Sequence, residues 1–172
     1  MKVQLSVLAA ALALNACSWN DNRWLPREIY QPTSTAWSTQ PGTNSVTGQA
    51  MFTTLTGETR DCAGMTVRLV PDSGYARQRF MELYGSDVSG VSNGLVFNKY
   101  GPDLSDPRYL IASKTTTCDP SGKFSFDNVA NGTWYVVSNV VWAGDSAPDS
   151  RGSAMFKRIQ VKDGQSVDVS MP

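Results

Sequence analysis

From residue 46 to the end of the chain, apolar and polar residues alternate in short runs separated by Gly, Pro, Asn, Asp and Ser. A period of two puts alternate side chains on one face of a strand, so each run predicts a half-buried strand. The first run is Val46–Phe52, ending by Gly57, and the second is Met65–Val70, stopped by Pro71. A third is predicted from Tyr109-Leu110-Ile111-Ala112 through Thr117. Asp119-Pro120-Ser121-Gly122 carries proline and glycine at the second and fourth places of a turn. It opens Lys123–Phe126, where Phe124 and Phe126 share a face. Asn131-Gly132 then turns the chain into Thr133–Trp142. Ala154–Val161 and Ser166–Met171 flank the turn Lys162-Asp163-Gly164-Gln165, and Asp-Gly between two β-rich runs signals a hairpin. Seven short strands with turns between them predict an all-β sandwich over residues 46–172.

One stretch breaks the alternation. Within residues 72–108, Asp72-Ser73 are helix-cap candidates, and Phe80, Leu83 and Tyr84 recur at spacings of three and four before Gly85. That spacing predicts a short amphipathic helix in an inserted loop. Beyond Gly85 the insertion turns to Ser, Gly, Asn and Asp, with Tyr100, Pro102 and Pro107. Such a loop is expected either to cap an open end of the sandwich or to carry function. Ahead of the strands, residues 17–45 are polar and Pro-containing with no sustained apolar period, which predicts an extended, flexible tether. Trp19, Trp24 and Trp37 lie in it, and tryptophan gains little from exposure. They either fold back on the domain, lie in a lipid interface, or anchor a partner.

At the N-terminus one cation, Lys2, precedes the apolar run LSVLAAALAL, and Asn15-Ala16-Cys17 follows. The run is too short to span a bilayer and reads as the core of an export signal. Leu14-Asn15-Ala16-Cys17 resembles the bacterial lipoprotein cleavage box, although Asn15 replaces the usual small or aliphatic residue. The resemblance implies a signal peptide over residues 1–16, removed before Cys17, which becomes the lipid-modified N-terminus. The mature proteins of that family carry three acyl chains, including palmitate, enough for stable anchoring. Ser18, a residue other than Asp after the cysteine, implies the outer membrane, with the periplasmic face favoured over the cell surface.

Charge adds little. Loss of Lys2 with the signal leaves 14 Lys and Arg against 15 Asp and Glu, with no basic stripe to suggest nucleic acid. With Cys17 assigned to lipidation, Cys62 and Cys118 remain in an exported chain. The count alone leaves them either bridged or as two buried thiols.

The central run resembles the carboxypeptidase regulatory-like domain, a transthyretin-like sandwich related to collagen-adhesin B-type repeats. Thr117-Cys118-Asp119-Pro120-Ser121-Gly122-Lys123-Phe124-Ser125-Phe126-Asp127-Asn128-Val129 matches that family's T-x-D-x-x-G-x-F-x-F-x-x-V. Gly48 in the first strand, Cys62-Ala63-Gly64-Met65-Thr66-Val67 entering the second, and Gly132-Thr133-Trp134-Tyr135-Val136 extend the match. The resemblance implies a seven-stranded Ig/transthyretin-like sandwich interrupted by the 72–108 insertion. It also brings the two loops carrying Cys62 and Cys118 together, which supports a disulfide. Some relatives form a Lys–Asn isopeptide bond. Here strand one has no lysine and the first after Lys2 is Lys99, so that crosslink is not expected.

The chain has no histidine. That removes the usual general base, the Ser-His-Asp and Cys-His nucleophile systems and His-based metal sites. Asp103 with Asp106, and Asp145 with Asp149, are carboxylate pairs in Ser/Pro loops and read first as solvent-facing turns. Asn131-Gly132-Thr133 fits an N-glycosylation pattern and reads here as a turn. The expectation is therefore a non-enzymatic protein without cofactor or metal. It would be a structural or protein-interaction module within an envelope assembly, meeting its partner through Trp24, Trp37, Phe80, Tyr84 and Tyr100. A glycan-binding sandwich is the alternative, with Trp134, Trp142, Tyr100 and Tyr109 as stacking candidates. An accessory subunit of an envelope enzyme is a third reading.

Overall fold

The computed structural model describes residues 28–93, 106–143 and 150–171. Its backbone ladders form an open all-β sandwich. In the smaller sheet, β1 (Asn44–Gln49) lies between β10 (Ser166–Ser170), which it pairs in parallel, and β7 (Lys123–Val129), which it pairs antiparallel. The larger sheet is antiparallel in the order β5 (Ser89–Asn93), β9 (Ser150–Val161), β8 (Gly132–Ala143), β4 (Thr66–Pro71), β6 (Lys114–Thr117). A small hairpin, β2 (Met51–Thr53) with β3 (Thr59–Asp61), continues from β1.

Alternation along the strands builds the core. Val46, Phe124, Phe126 and Val169 from the three-stranded sheet meet Val67, Leu69, Trp134, Val136 and Met155 from the five-stranded sheet. The intervening residues Val70, Tyr135 and Phe156 point the other way and carry a second apolar cluster. The five-stranded sheet is thus buried on both faces, while the three-stranded sheet turns one face to solvent.

The outer cover of the larger sheet is the insertion itself. Helix α1 (Gly74–Tyr84) starts where Ser73 accepts the Ala76 N–H and ends at Gly85, as the sequence predicts. Phe80 stacks between Tyr135 at 4.2 Å and Phe156 at 4.4 Å. The helix therefore lies flat on a sheet face rather than over an open end. Asp72, whose side chain is 7% exposed, holds the helix start to the sheet. Its carboxylate accepts two hydrogen bonds from Arg77 and one from Arg158 of β9.

Three expectations change. Tyr109–Ala112 is not strand: Pro107–Ile111 forms a helical turn, α2. Asp106 caps it by accepting the Arg108 N–H, and proline at its start suits a helix. Tyr109 then drops into an edge-to-face cluster with Tyr30 and Tyr75 at 5.5 and 5.0 Å. Residues 28–43, assigned by composition to the tether, are laid on the domain. Tyr30 is buried and Pro32–Thr39 forms a 3-10 helix in which Thr35 and Ser38 are buried. Finally, β3 and β5 add to the expected strands, and Ala50 separates β1 from β2.

Candidate functional site

The D-x-x-G turn sets up one end of the three-stranded sheet. Asp119 Oδ1 accepts the backbone N–H of Ser121 at 2.8 Å and of Lys123 at 3.0 Å, together with the Ser121 hydroxyl. These donors hold the Asp119 carboxyl below its ordinary pKa, the Lys123 N–H contributing most. Gly122 has φ 74°, and a Cβ there would lie 2.7 Å from Asp61 Cβ, so only glycine fits. Cys62 and Cys118 form a disulfide across this corner, with Cα atoms 5.8 Å apart. Their backbones are laced to the same corner: Cys62 N–H to the Ala50 carbonyl, Gly64 N–H to the Cys118 carbonyl, and Cys118 N–H to the Met65 carbonyl.

From that corner the outward residues of three strands form an ordered polar surface. Register places Asp168, Thr47 and Ser125 in one row and Ser170, Gln49 and Lys123 in the next. Thr47 Oγ1 donates to Asp168 Oδ1 at 3.1 Å, and Gln49 Nε2 donates to the Ser121 carbonyl at 2.8 Å. These bonds fix the two side chains and leave Gln49 Oε1 and Asp168 Oδ2 as acceptors. A cleft of about 560 Å3 lies beside Thr47, Asp168, Ser170, Gln49 and Lys123, lined also by exposed Met51, by Met171 and by Phe124 and Val169 of the core. Its volume falls within the range of about 300–1,000 Å3 usual for small-ligand sites. It offers hydroxyl, amide, carboxylate and ammonium groups beside thioether surface, a mixture suited to a neutral polyhydroxyl ligand.

The residues singled out from sequence are distributed differently. Cys17, Trp24 and Tyr100, with Asp103, Asp145 and Asp149, lie outside the described residues. Trp37 packs edge-on against Trp134 at 4.9 Å. Gly132 makes room for it: a Cβ there would meet the Trp37 ring at 2.3 Å. Phe80 is buried, and burial pushes the Tyr84 phenol up to about 12. Trp37, Phe80 and Tyr84 are thus engaged within the molecule. Of the stacking candidates, Trp134 and Tyr109 are buried, and Trp142 is half-buried and stacked on Phe52 at 5.7 Å. Among the described residues no group of three or more His, Cys, Asp or Glu could hold a metal ion. The cleft residues were not singled out from the sequence, because its one signal is indirect: they are the polar members of runs whose apolar members fill the core.

Fold and site together define an all-β sandwich with a mixed polar and apolar cleft on its open sheet. No protein-family model matches the chain, and no curated protein matches it. Among solved structures it is similar to a "putative carbohydrate binding protein" from Pseudomonas aeruginosa, with a TM-score of 0.64 and 23% identity over 84% of this chain and 97% of that one. The likeness shows a shared fold.

Proposed function

We propose that this chain is a non-enzymatic, lipid-anchored module of the cell envelope that binds a glycan along the cleft of the three-stranded sheet. The cleft carries the reading: Thr47, Gln49, Lys123, Asp168 and Ser170 converge on about 560 Å3 beside apolar methionine surface. Sugars present hydroxyls that both donate and accept, and C–H faces that pack on apolar groups, so a mixed lining fits them better than an all-acidic or all-basic one. The name of the Pseudomonas aeruginosa protein of like fold favours the same ligand class. Absence of histidine from the sequence favours binding over catalysis. The anchor rests on the signal and Cys17, and the domain type on the D-x-x-G motif that resembles the carboxypeptidase regulatory-like family.

A protein-binding reading keeps one observation in its favour. Among the described residues β5 pairs with β9 alone, and Val88 and Val91 beside its open edge are exposed, an arrangement that strand addition could use. Pull-down of mature protein on purified envelope polysaccharides, including peptidoglycan sacculi, decides between them. Retention that is lost in Gln49→Ala with Lys123→Ala, at an unchanged urea midpoint, is the expected result. Failure to bind any of these polymers, or binding indifferent to that double change, overturns the glycan reading.

A further inference from the structure

The chain joins the domain on the helical layer, and that position gives the molecule a direction. The Glu28 N–H donates to Gln78 Oε1 of α1, and the Glu28 carboxylate covers Gly74, where a Cβ would lie 3.3 Å from it. Two residues on, the Tyr30 ring meets Tyr75 and Tyr109 edge-on at 5.6 and 5.5 Å. The first described residues are therefore fixed on the side of the five-stranded sheet that faces away from the three-stranded sheet. The crossing toward β1 comes at Trp37, which packs on core-facing Trp134, and Ser38, whose hydroxyl donates to the Ala112 carbonyl.

The two outer surfaces differ in their exposed aliphatic side chains. The helical layer exposes Ile29 (72%), Ile111 (80%) and Met81 (50%) among the charged side chains of Glu28, Arg77, Glu82 and Arg108, which are mixed in sign. Beside the first two, Tyr30, Pro32, Ala36 and Ile111 line a shallow, mainly apolar depression of about 290 Å3. Arg108 at its rim is neutralised by Asp106 at 2.6 Å. The opposite surface is the polar lattice of Thr47, Gln49, Lys123, Ser125, Asp168 and Ser170.

Chain length turns this asymmetry into an orientation. Eleven residue steps separate Cys17 from Glu28. Fully extended they reach at most about 40 Å, and any shorter course reaches less. A domain of this size is itself about 35–40 Å across. An anchor at Cys17 therefore favours the Glu28 side of the domain nearest the bilayer, since the polar sheet faces the bilayer only if the tether is nearly taut around the whole domain. We propose that the helical layer around Ile29 and Ile111 rests on the lipid surface, with the glycan cleft facing away from it. The occupant is a lipid headgroup region without charge selectivity, because the charges around the exposed isoleucines are mixed in sign and both Arg77 and Arg108 are paired with aspartates. This rests on the lipid-anchor reading above.

The test uses full-length protein lipidated at Cys17 in phosphatidylcholine vesicles containing headgroup-nitroxide lipid. A fluorophore is placed by Ile111→Cys or by Ser125→Cys, both at exposed positions. Quenching should be several-fold stronger at position 111 than at 125, with little dependence on salt. Equal quenching, or stronger quenching at 125, overturns the orientation while leaving the anchor intact. Intact mass of native protein showing an unmodified Cys17 overturns the anchor reading and the proposal with it. Photocrosslinking from position 111 in native envelopes should recover lipid, and recovery of one dominant protein instead overturns the choice of occupant.

Discussion

Replacing Phe80 with alanine separates the two roles that an apolar stripe in an inserted loop can have. Phe80 is 6% exposed and stacks on Tyr135, Phe156 and Tyr84 at centroid distances of 4.2, 4.4 and 5.9 Å. A phenylalanine side chain buries at least about 150 Å2, worth about 4 kcal/mol at about 25 cal/mol per Å2. Cavity formation and loss of the stacked pairs keep the expected cost within about 3–5 kcal/mol. That is a large share of the roughly 5–15 kcal/mol by which a domain is stable. Urea unfolding followed by tryptophan fluorescence should show the midpoint falling at an unchanged slope. Met81→Ala on the exposed side of the same helix should cost under about 1 kcal/mol, as surface changes do. A Phe80→Ala variant within about 1 kcal/mol of wild type would refute the packing argument and return Phe80 to the partner surface suggested by its sequence position.

Non-reducing peptide mapping should recover Cys62 linked to Cys118, and Cys118→Ser with Cys62→Ser should cost about 2–5 kcal/mol in urea unfolding. Donors hold the Asp119 and Asp106 carboxyls below their ordinary range, the Lys123 N–H foremost for Asp119 and the Arg108 side chain for Asp106. A carboxylate with a lower pKa in the folded state stabilises above its unfolded pKa, so stability should fall as pH drops below about 4. Asp119→Asn should flatten that fall in unfolding midpoints measured between pH 2 and pH 6, and an unchanged slope would count against the turn assignment. Gly132→Ala drives a methyl group into the Trp37 ring, where 2.3 Å separates them, at φ 151°. It should cost about 1–3 kcal/mol and shift Trp37 fluorescence.

Local signals in the sequence carried far. Ser73 and Gly85 marked both ends of α1, and the Asp119–Gly122 turn and most strands stand where alternation puts them. Tyr109-Leu110-Ile111-Ala112 misled because a short apolar run fits helix and strand equally. The Asp106-Pro107 cap was the available arbiter. What lay out of reach was non-local. The first and last strands pair in parallel across the length of the domain, and no periodicity encodes that choice of neighbour. The same pairing creates the cleft, since Thr47 and Asp168 become neighbours only through it. Aromatic residues drew attention as exposed binding candidates, yet Trp37, Phe80 and Tyr109 all pack inward, as large apolar area favours.

The difference between the two sheets supports placing the proposed binding on the smaller one. The five-stranded sheet has Trp134, Val136 and Met155 on one face and Tyr135, Val70 and Phe156 on the other. A polar substitution on either face leaves an unsatisfied group in a dry layer and endangers the fold. On the three-stranded sheet only alternate residues, Val46, Phe124, Phe126 and Val169, hold the core. Their neighbours are free to vary without loss of packing, and the hydrogen bonds from Thr47 and Gln49 order them without burying them. A rigid frame beneath and a polar lattice ordered by hydrogen bonds above are what the proposed binding surface requires. On the proposed glycan reading, substitutions at Gln49, Lys123 and Asp168 change polymer specificity while the sandwich stays the same.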